Sequence, residues 1–263
     1  MRTTLEIKID RLKKNGHNIS VNKVLTDGFS AWKSTIFYGF FCIIFSYLFN
    51  NLVSTILSNY LGTHMIELKF KNLVSQLNND PRILEEIISL YKTNPMFINK
   101  IILSSFIGIL LLYPLNAGVV FCAHQIDKNG RTSFKDLISG YQGKKFIKLL
   151  GLQLIHIIII SISCLFLFLP IIYIVPGFIL AGAFIIIDDV PLTKAISYSF
   201  KIVNMYFGKI LLVLIFSYFF SKIFGILMCF IGLLFTLSYS NAIVYSIYRN
   251  TVGAIVIDNE VNE

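Results

Sequence analysis

From Leu149 to Ile187 the chain runs 39 residues without an Asp, Glu, Lys or Arg, and from Ile210 to Tyr248 another 39 residues carry only Lys222. About 20 apolar residues suffice to cross a hydrocarbon core as a helix. Each run is therefore too long for one crossing and reads as a hairpin of two. Ile36–Leu57 adds a third uncharged stretch. Only 14% of the 263 residues are charged, against about 25% in a soluble domain. Too few charges remain to cover a water-facing surface, and the mean hydropathy of +0.73 points the same way.

The expected fold class is an all-α polytopic transmembrane helix bundle of about six spans, arranged as three hairpins, each preceded by an inner amphipathic helix. Residues 1–19 are expected as a flexible basic tail, 20–250 as a single transmembrane domain and 251–263 as a short acidic tail. Val21, Val24, Leu25, Phe29 and Trp32 repeat at helical spacing ahead of the first span, Ile36–Leu57. Residues 59–97 form an outer helical loop. Ile66, Phe70, Leu73 and Leu77 mark its first helix, and Ile83, Leu84, Ile87, Ile88 and Tyr91 give its second an apolar face, opened by Asp80-Pro81. The second span is Ile98–Ala123, interrupted by Pro114. A basic connection follows, with a capping box at Ser133 and Asp136. The third and fourth spans are Phe146–Leu169 and Tyr173–Ile187, joined by an apolar turn at Pro170 to Pro176. Asp188, Asp189 and Pro191 stop the fourth and cap another amphipathic helix, which runs to about Asn204. The last hairpin lies between Phe207 and Tyr248, with its turn near Lys222–Cys229.

Seventeen of the 23 basic residues fall before the first span, in the second and fourth connections, or after the last span. The other six are Lys69, Lys71, Arg82, Lys92, Lys100 and Lys222, and the acidic residues of the outer loop offset most of these. The positive-inside rule then places both termini in the cytoplasm of a plasma (inner) membrane protein. The net charge of +9 is accounted for by anionic lipid, so membrane lipid is the expected partner and nucleic acid is not. A homo-oligomer or another membrane protein is the other expected partner. No cleavable leader is expected in the polar first 35 residues. Each of the four cysteines sits in a different apolar span, without metal-ligand spacing, and reads as small apolar filler.

Three segments share an apolar residue, a small residue three positions on and an aromatic four positions on: Leu25, Gly28 and Phe29; Leu137, Gly140 and Tyr141; Ile196, Ser199 and Phe200. Pro114 to Asp127 and Pro176 to Asp189 have equal spacing. The pattern reads as three copies of one helix-plus-hairpin unit. With the proline-containing second span, the motif from Ser133 to Leu137 and the segment from Leu192 to Phe200, the chain resembles uncharacterised bacterial six-span integral membrane proteins. These are similar to the membrane domain attached to some glycerophosphoryl diester phosphodiesterases. The resemblance covers about residues 20–250 and implies a fold. It implies no catalytic residue, because these 263 residues contain no phosphodiesterase domain.

A polar side chain inside a membrane costs free energy unless it is partnered, so Asn116, Gln153, His156 and Asn241 stand out. At 1.5 Å per residue from the inner end they reach similar depths and are expected to form one polar layer. No zinc-protease, nucleophile-elbow, phosphate-loop or dinucleotide pattern is present, and no catalytic residue or cofactor is expected. For a metal, His124 and Asp188 are the weak candidates, since adjacent carboxylates point to different helical faces. The first functional expectation is a non-enzymatic accessory or scaffold protein. The alternative is a small permease or lipid transporter using the polar layer, and the weaker alternative is an intramembrane enzyme. A dry, packed layer favours a scaffold, whereas a cavity reaching it favours transport.

Overall fold

The computed structural model describes residues 4–15, 18–77, 80, 82–166, 170–227, 236 and 238–254. All regular structure in these residues is helical. In chain order the helices are α1 (Thr4–Asn15), α2 (Val21–Tyr60), α3 (His64–Gln76), α4 (Ile83–Thr93), α5 (Pro95–Asn129), α6 (Phe134–Leu137), α7 (Gly143–Cys164), α8 (Ile171–Phe178), α9 (Ala181–Asp188), α10 (Leu192–Leu227) and α11 (Tyr239–Tyr248). A 3-10 turn at Ser139–Tyr141 follows α6, and a π turn at Arg249–Gly253 follows α11. Five helical segments are long and apolar enough to cross a membrane: α2, α5, α7, α8 with α9, and most of α10. The chain has the make-up of a multi-pass membrane protein. On α2, Phe37 and Leu48 are 68% and 60% exposed, which lipid tolerates and water does not.

Several expected boundaries move. The first amphipathic helix and first span form one unbroken 40-residue helix, α2. The last amphipathic helix and fifth span are likewise merged in α10, with a kink at Tyr206, where the apolar stretch begins. The second amphipathic segment is short: α6 begins at the Ser133–Asp136 capping box and gives way to the 3-10 turn. Of the expected fifth-to-sixth turn, Lys222–Cys229, residues 222–227 are helical and 228–229 lie outside the described residues. Helix α10 continues to Leu227, past most of the expected position. The Ser221 and Thr236 hydroxyls donate to each other's carbonyl oxygens at 2.9 and 2.8 Å, so the chain has doubled back between them.

The chain divides into two compact units, 1–44 with 113–263, and 45–112. In the first, the centre is α9, where Ala181 to Ile186 are all buried. It packs on α7, α10 and α11. Lys145 donates to the Ile186 carbonyl at 2.9 Å, and Lys148 reaches the Asp189 carbonyl and carboxylate, so two cations sit on the carbonyl end of α9. Asp189 itself takes a left-handed conformation (φ 51°) and closes α9. It was expected to stop this helix, as it does, and to cap the next.

The N-terminal residues form a packed helix where a flexible tail was expected. Leu5, Ile9 and Leu12 of α1 are buried in the main core. Glu6 accepts from the Tyr198 hydroxyl at 2.7 Å and pairs with Lys194 at 3.3 Å. The C-terminal helix meets three other segments at one end. Tyr245 and Arg249 bind Asp127, Tyr248 binds Asp188, and Asn250 binds Asp27. Helix α11 also lies directly on α2. A Cβ on Gly28 would crowd Ile243, and one on Gly39 would overlap Ser238, so the two helices run in opposite directions in close contact.

In the second unit, α3 and α4 pair through Leu73, Ile83, Ile87 and Leu90, with Ile66, Phe70 and Tyr91 against them. Leu84 and Ile88, expected on the apolar face, are exposed at 53% and 45%. The buried stripe of α4 follows 83, 87 and 90, one position round the helix. Pro81, expected to open α4, lies outside the described residues. The Asp80 carboxylate accepts the Arg82 backbone N–H at 2.9 Å.

Candidate functional site

The polar positions on α5, α7 and α11 converge in the first unit. A cavity of about 210 Å³ is lined by Tyr113, Asn116, Ala117, Val120, His156, Val175, Phe178, Ile179, Gly182, Asn241 and Val244. Three of the four expected layer residues are here: Asn116, His156 and Asn241. The fourth, Gln153, is buried on α7 but does not line the cavity. Three residues at 3.6 per turn leave Gln153 about 60° round the helix and 4.5 Å along it from His156, so only one of the two faces the space.

Asn241 donates its amide N–H to Asn116 Oδ1 at 3.1 Å, bridging α11 and α5. The Cys42 thiol approaches the same oxygen at 3.6 Å. Cys42 thus touches the polar layer as well as filling space. The His156 ring stacks on Phe178 at 5.0 Å between centroids and 15° between planes. Its Nε2 is buried and has no hydrogen-bond partner among the described residues. A buried polar atom left unpaired costs about 1–3 kcal/mol, which a ligand or water bound beside it can recover.

Tyr113 is the lining residue that sequence reasoning missed. Its hydroxyl rests on the bare backbone of Gly182, where a Cβ would come within 2.5 Å. The signal was present in the sequence: Tyr113 precedes Pro114, and Gly182 follows Pro176 by six positions.

The wall opposite Asn116 is a broken helix. Pro176 cannot donate a backbone hydrogen bond, and the fourth span divides after Phe178 into α8 and α9. The Leu180 N–H, released at the break, donates to Ser199 Oγ at 3.2 Å, and Ser199 is fully buried. Ile179 and Leu180 keep right-handed helical torsions, so what the junction loses is helical hydrogen bonds, and such groups are tolerated inside a membrane protein where side chains satisfy them.

His124 and Asp188 do not form a chelate. Asp188 accepts from the Tyr248 hydroxyl at 2.9 Å, and the His124 ring stands edge-on to Tyr245 and Tyr248. Among the described residues no group of three or more His, Cys, Asp or Glu is arranged to hold a metal ion.

Comparison with protein-family models, curated proteins and solved structures gives no match.

Proposed function

We propose that the chain is a multi-pass membrane protein that admits a small ligand to the mainly apolar cavity, with its few polar groups, between α5, α7, α8 and α11, in the manner of a small permease or lipid-handling protein. One observation carries this reading. Three of the four expected layer residues line a partly open space of about 210 Å³ that packing does not close. A water molecule occupies about 30 Å³ of liquid, so the volume suits several waters or one small solute. A scaffold gains nothing from a gap beside an unpaired histidine in its core.

Cysteine accessibility tests it. In a background with Cys42, Cys122, Cys164 and Cys229 replaced by alanine, a water-soluble methanethiosulfonate is expected to modify Asn241→Cys at least tenfold faster than Ile243→Cys. Ile243 is fully buried two positions on, on the opposite side of the same helix. Equal rates would return the protein to the scaffold reading.

The same proposal places the protein in a bacterial plasma membrane with both termini cytoplasmic. Contacts at one end of the first unit support a shared side for the two termini, and the excess of basic residues there makes it the cytoplasmic one. Asp27, ahead of the first span, bonds Asn250, after the last, and Asp127 binds Arg249. Segments that meet in this way require an even number of crossings between them. An exported phosphatase fused after Glu263 is expected to be inactive, and activity there would overturn the orientation.

The three-unit repeat belongs to this reading too. The small residue of each motif lies against the hairpin of another unit. Gly28 faces Ile243 of α11, Gly140 faces the Pro114 carbonyl of α5, and Ser199 holds the Leu180 N–H at the start of α9. Each copy packs on the second limb of the preceding hairpin, and the first copy packs on the last. Such a closed ring leaves the cavity near its middle.

A further inference from the structure

A second, larger space adjoins the polar cavity. It is a groove of about 790 Å³ between α8 and α10, lined by apolar side chains apart from Ser217, Ser221, Ser240 and Lys222. Along α10 it runs from Leu211 to Lys222, about 17 Å at 1.5 Å per residue. Val175 and Ile179 line both spaces. They stand one turn apart on either side of Pro176, Gly177 and Phe178, the last turn of α8. On α11, Ser240 lines the groove and its neighbour Asn241 lines the cavity. Val175 and Ile179 therefore stand between an apolar groove and a chamber that carries the polar groups, beside the kink of the fourth span.

We propose that the two spaces form one site for a single-chain amphiphile with an uncharged hydrogen-bonding head, the chain lying in the α8–α10 groove and the head passing Val175 and Ile179 into the cavity. The inference rests on the reading of the cavity as a ligand site. The chemistry of each end selects the ligand. The groove offers apolar surface about 17 Å long, which suits a hydrocarbon chain. The cavity lining contains no Asp, Glu, Lys or Arg, so a charged head would be desolvated without a counter-charge. The Tyr113 hydroxyl, the Asn116–Asn241 amide pair and the His156 ring supply donors and acceptors for hydroxyl or ester groups. The volume fits a glycerol-sized head and excludes an oligosaccharide. Lys222 lies at the other end of the groove, over the Tyr218 ring at 5.9 Å, and is the natural site for the competing placement, an anionic head at the rim.

The test uses the full chain in nanodiscs of neutral phospholipid. The probe is a monoacylglycerol with a photoreactive diazirine in mid-chain. Crosslinks are expected on residues 171–179 and 211–219. Filling the chamber with Ala117→Phe or, separately, Val244→Phe is expected to reduce labelling at least fivefold, with each variant first shown to be monodisperse. A fatty acid and a lysophosphatidic acid of the same chain length are expected to compete at least tenfold less well than unlabelled monoacylglycerol. Labelling unchanged in both filled variants would overturn the proposal, because the chain would then bind the groove alone. Equal or better competition by the charged amphiphiles would also overturn it and move the head to Lys222. Failure here is distinguishable from failure of the cavity reading. If Asn241→Cys reacts rapidly with the soluble reagent and the monoacylglycerol does not protect it, the chamber stands and the amphiphile falls.

Discussion

Replacing Gly118 by alanine is expected to cost at least about 3 kcal/mol and to lower the melting temperature in mild detergent by at least about 6 °C. The added methyl group would overlap the Leu137 carbonyl oxygen, and the carbonyl carbon behind it is also too close. Gly140 faces the Pro114 carbonyl in the same way. Two stretches of main chain, 114–118 and 137–140, thus press on each other through two glycines. A side chain that meets another side chain can be relieved by a change of rotamer. Here the obstacle is backbone on both sides, and relief requires a helix to move. Gly208→Ala is the matched control. No atom lies within 4 Å of a Cβ there, so alanine is expected to be neutral or to stabilise α10 by about 0.5–1 kcal/mol. Size-exclusion melting curves on the two variants check both statements. A Gly118→Ala protein that melts within about 2 °C of the parent would show that the two segments are not in contact.

Glu67→Gln is expected to destabilise the second unit by about 3 kcal/mol, the lower end of the range for breaking a buried ion pair. Lys100 is only 3% exposed, and its ammonium lies 2.9 Å from Glu67 Oε2. Glutamine preserves the shape of Glu67 and deletes the charge, leaving a buried ammonium without a counter-ion. The partly exposed Glu67 keeps the effect from being larger. Lys100→Met in the same chain is expected to restore most of the loss, and the double-mutant cycle isolates the pair. The interaction also has a pH signature. Burial pushes the Glu67 carboxyl up, but hydrogen bonds from Lys100 and Ser58 and the charges of Lys100 and Lys71 hold it below its ordinary value of 4.5. A carboxyl lowered in the folded state stabilises that state fully above its ordinary value. The contribution is lost as pH falls through the lower, folded value. Hydrogen exchange in α3 and α4 is therefore expected to accelerate below pH 4.5 in the parent, and to be insensitive to this range in Glu67→Gln.

The polar side of the site was legible in the sequence because the membrane makes it so. Asn116, His156 and Asn241 are polar groups in long apolar runs, and depth counted from the inner end was enough to bring them together. Gln153 satisfied the same count and failed on angle, which depends on how α7 is rotated against its neighbours. Tyr113 was hidden because tyrosine is ordinary near membrane interfaces and because its role depends on Gly182, 69 positions away. The helix breaks were less legible than the helix faces. Apolar spacing shows which side of α2 is buried but gives no reason for the helix to stop, and it does not stop for 40 residues. In α10 the change of pattern near Asn204 fell beside the kink at Tyr206, whereas the segment from Pro170 to Pro176, expected as a turn, is helical from Ile171 onward, because a proline in the last turn of α8 leaves the torsions helical. The packed N-terminal helix was overlooked for another reason. Leu5, Ile9 and Leu12 do follow helical spacing, but three apolar residues among basic ones form a stable face only when a partner is present. That partner comes from α10 and from the π turn at the other end of the chain.

The bond from the Ser246 hydroxyl to the Val24 carbonyl, 2.6 Å long, joins residues 222 positions apart. During synthesis, α1 and α2 thus leave the ribosome well before some of the neighbours they need. α1 and the first turns of α2 must wait, with Leu5, Ile9 and Val24 unsheltered, until α11 and the π turn have emerged. A chain that stops short of Tyr239 would lose the packing of its beginning along with its end. Proteolytic quality control could therefore recognise an incomplete protein by the exposed helix at its N-terminus, well away from the missing residues.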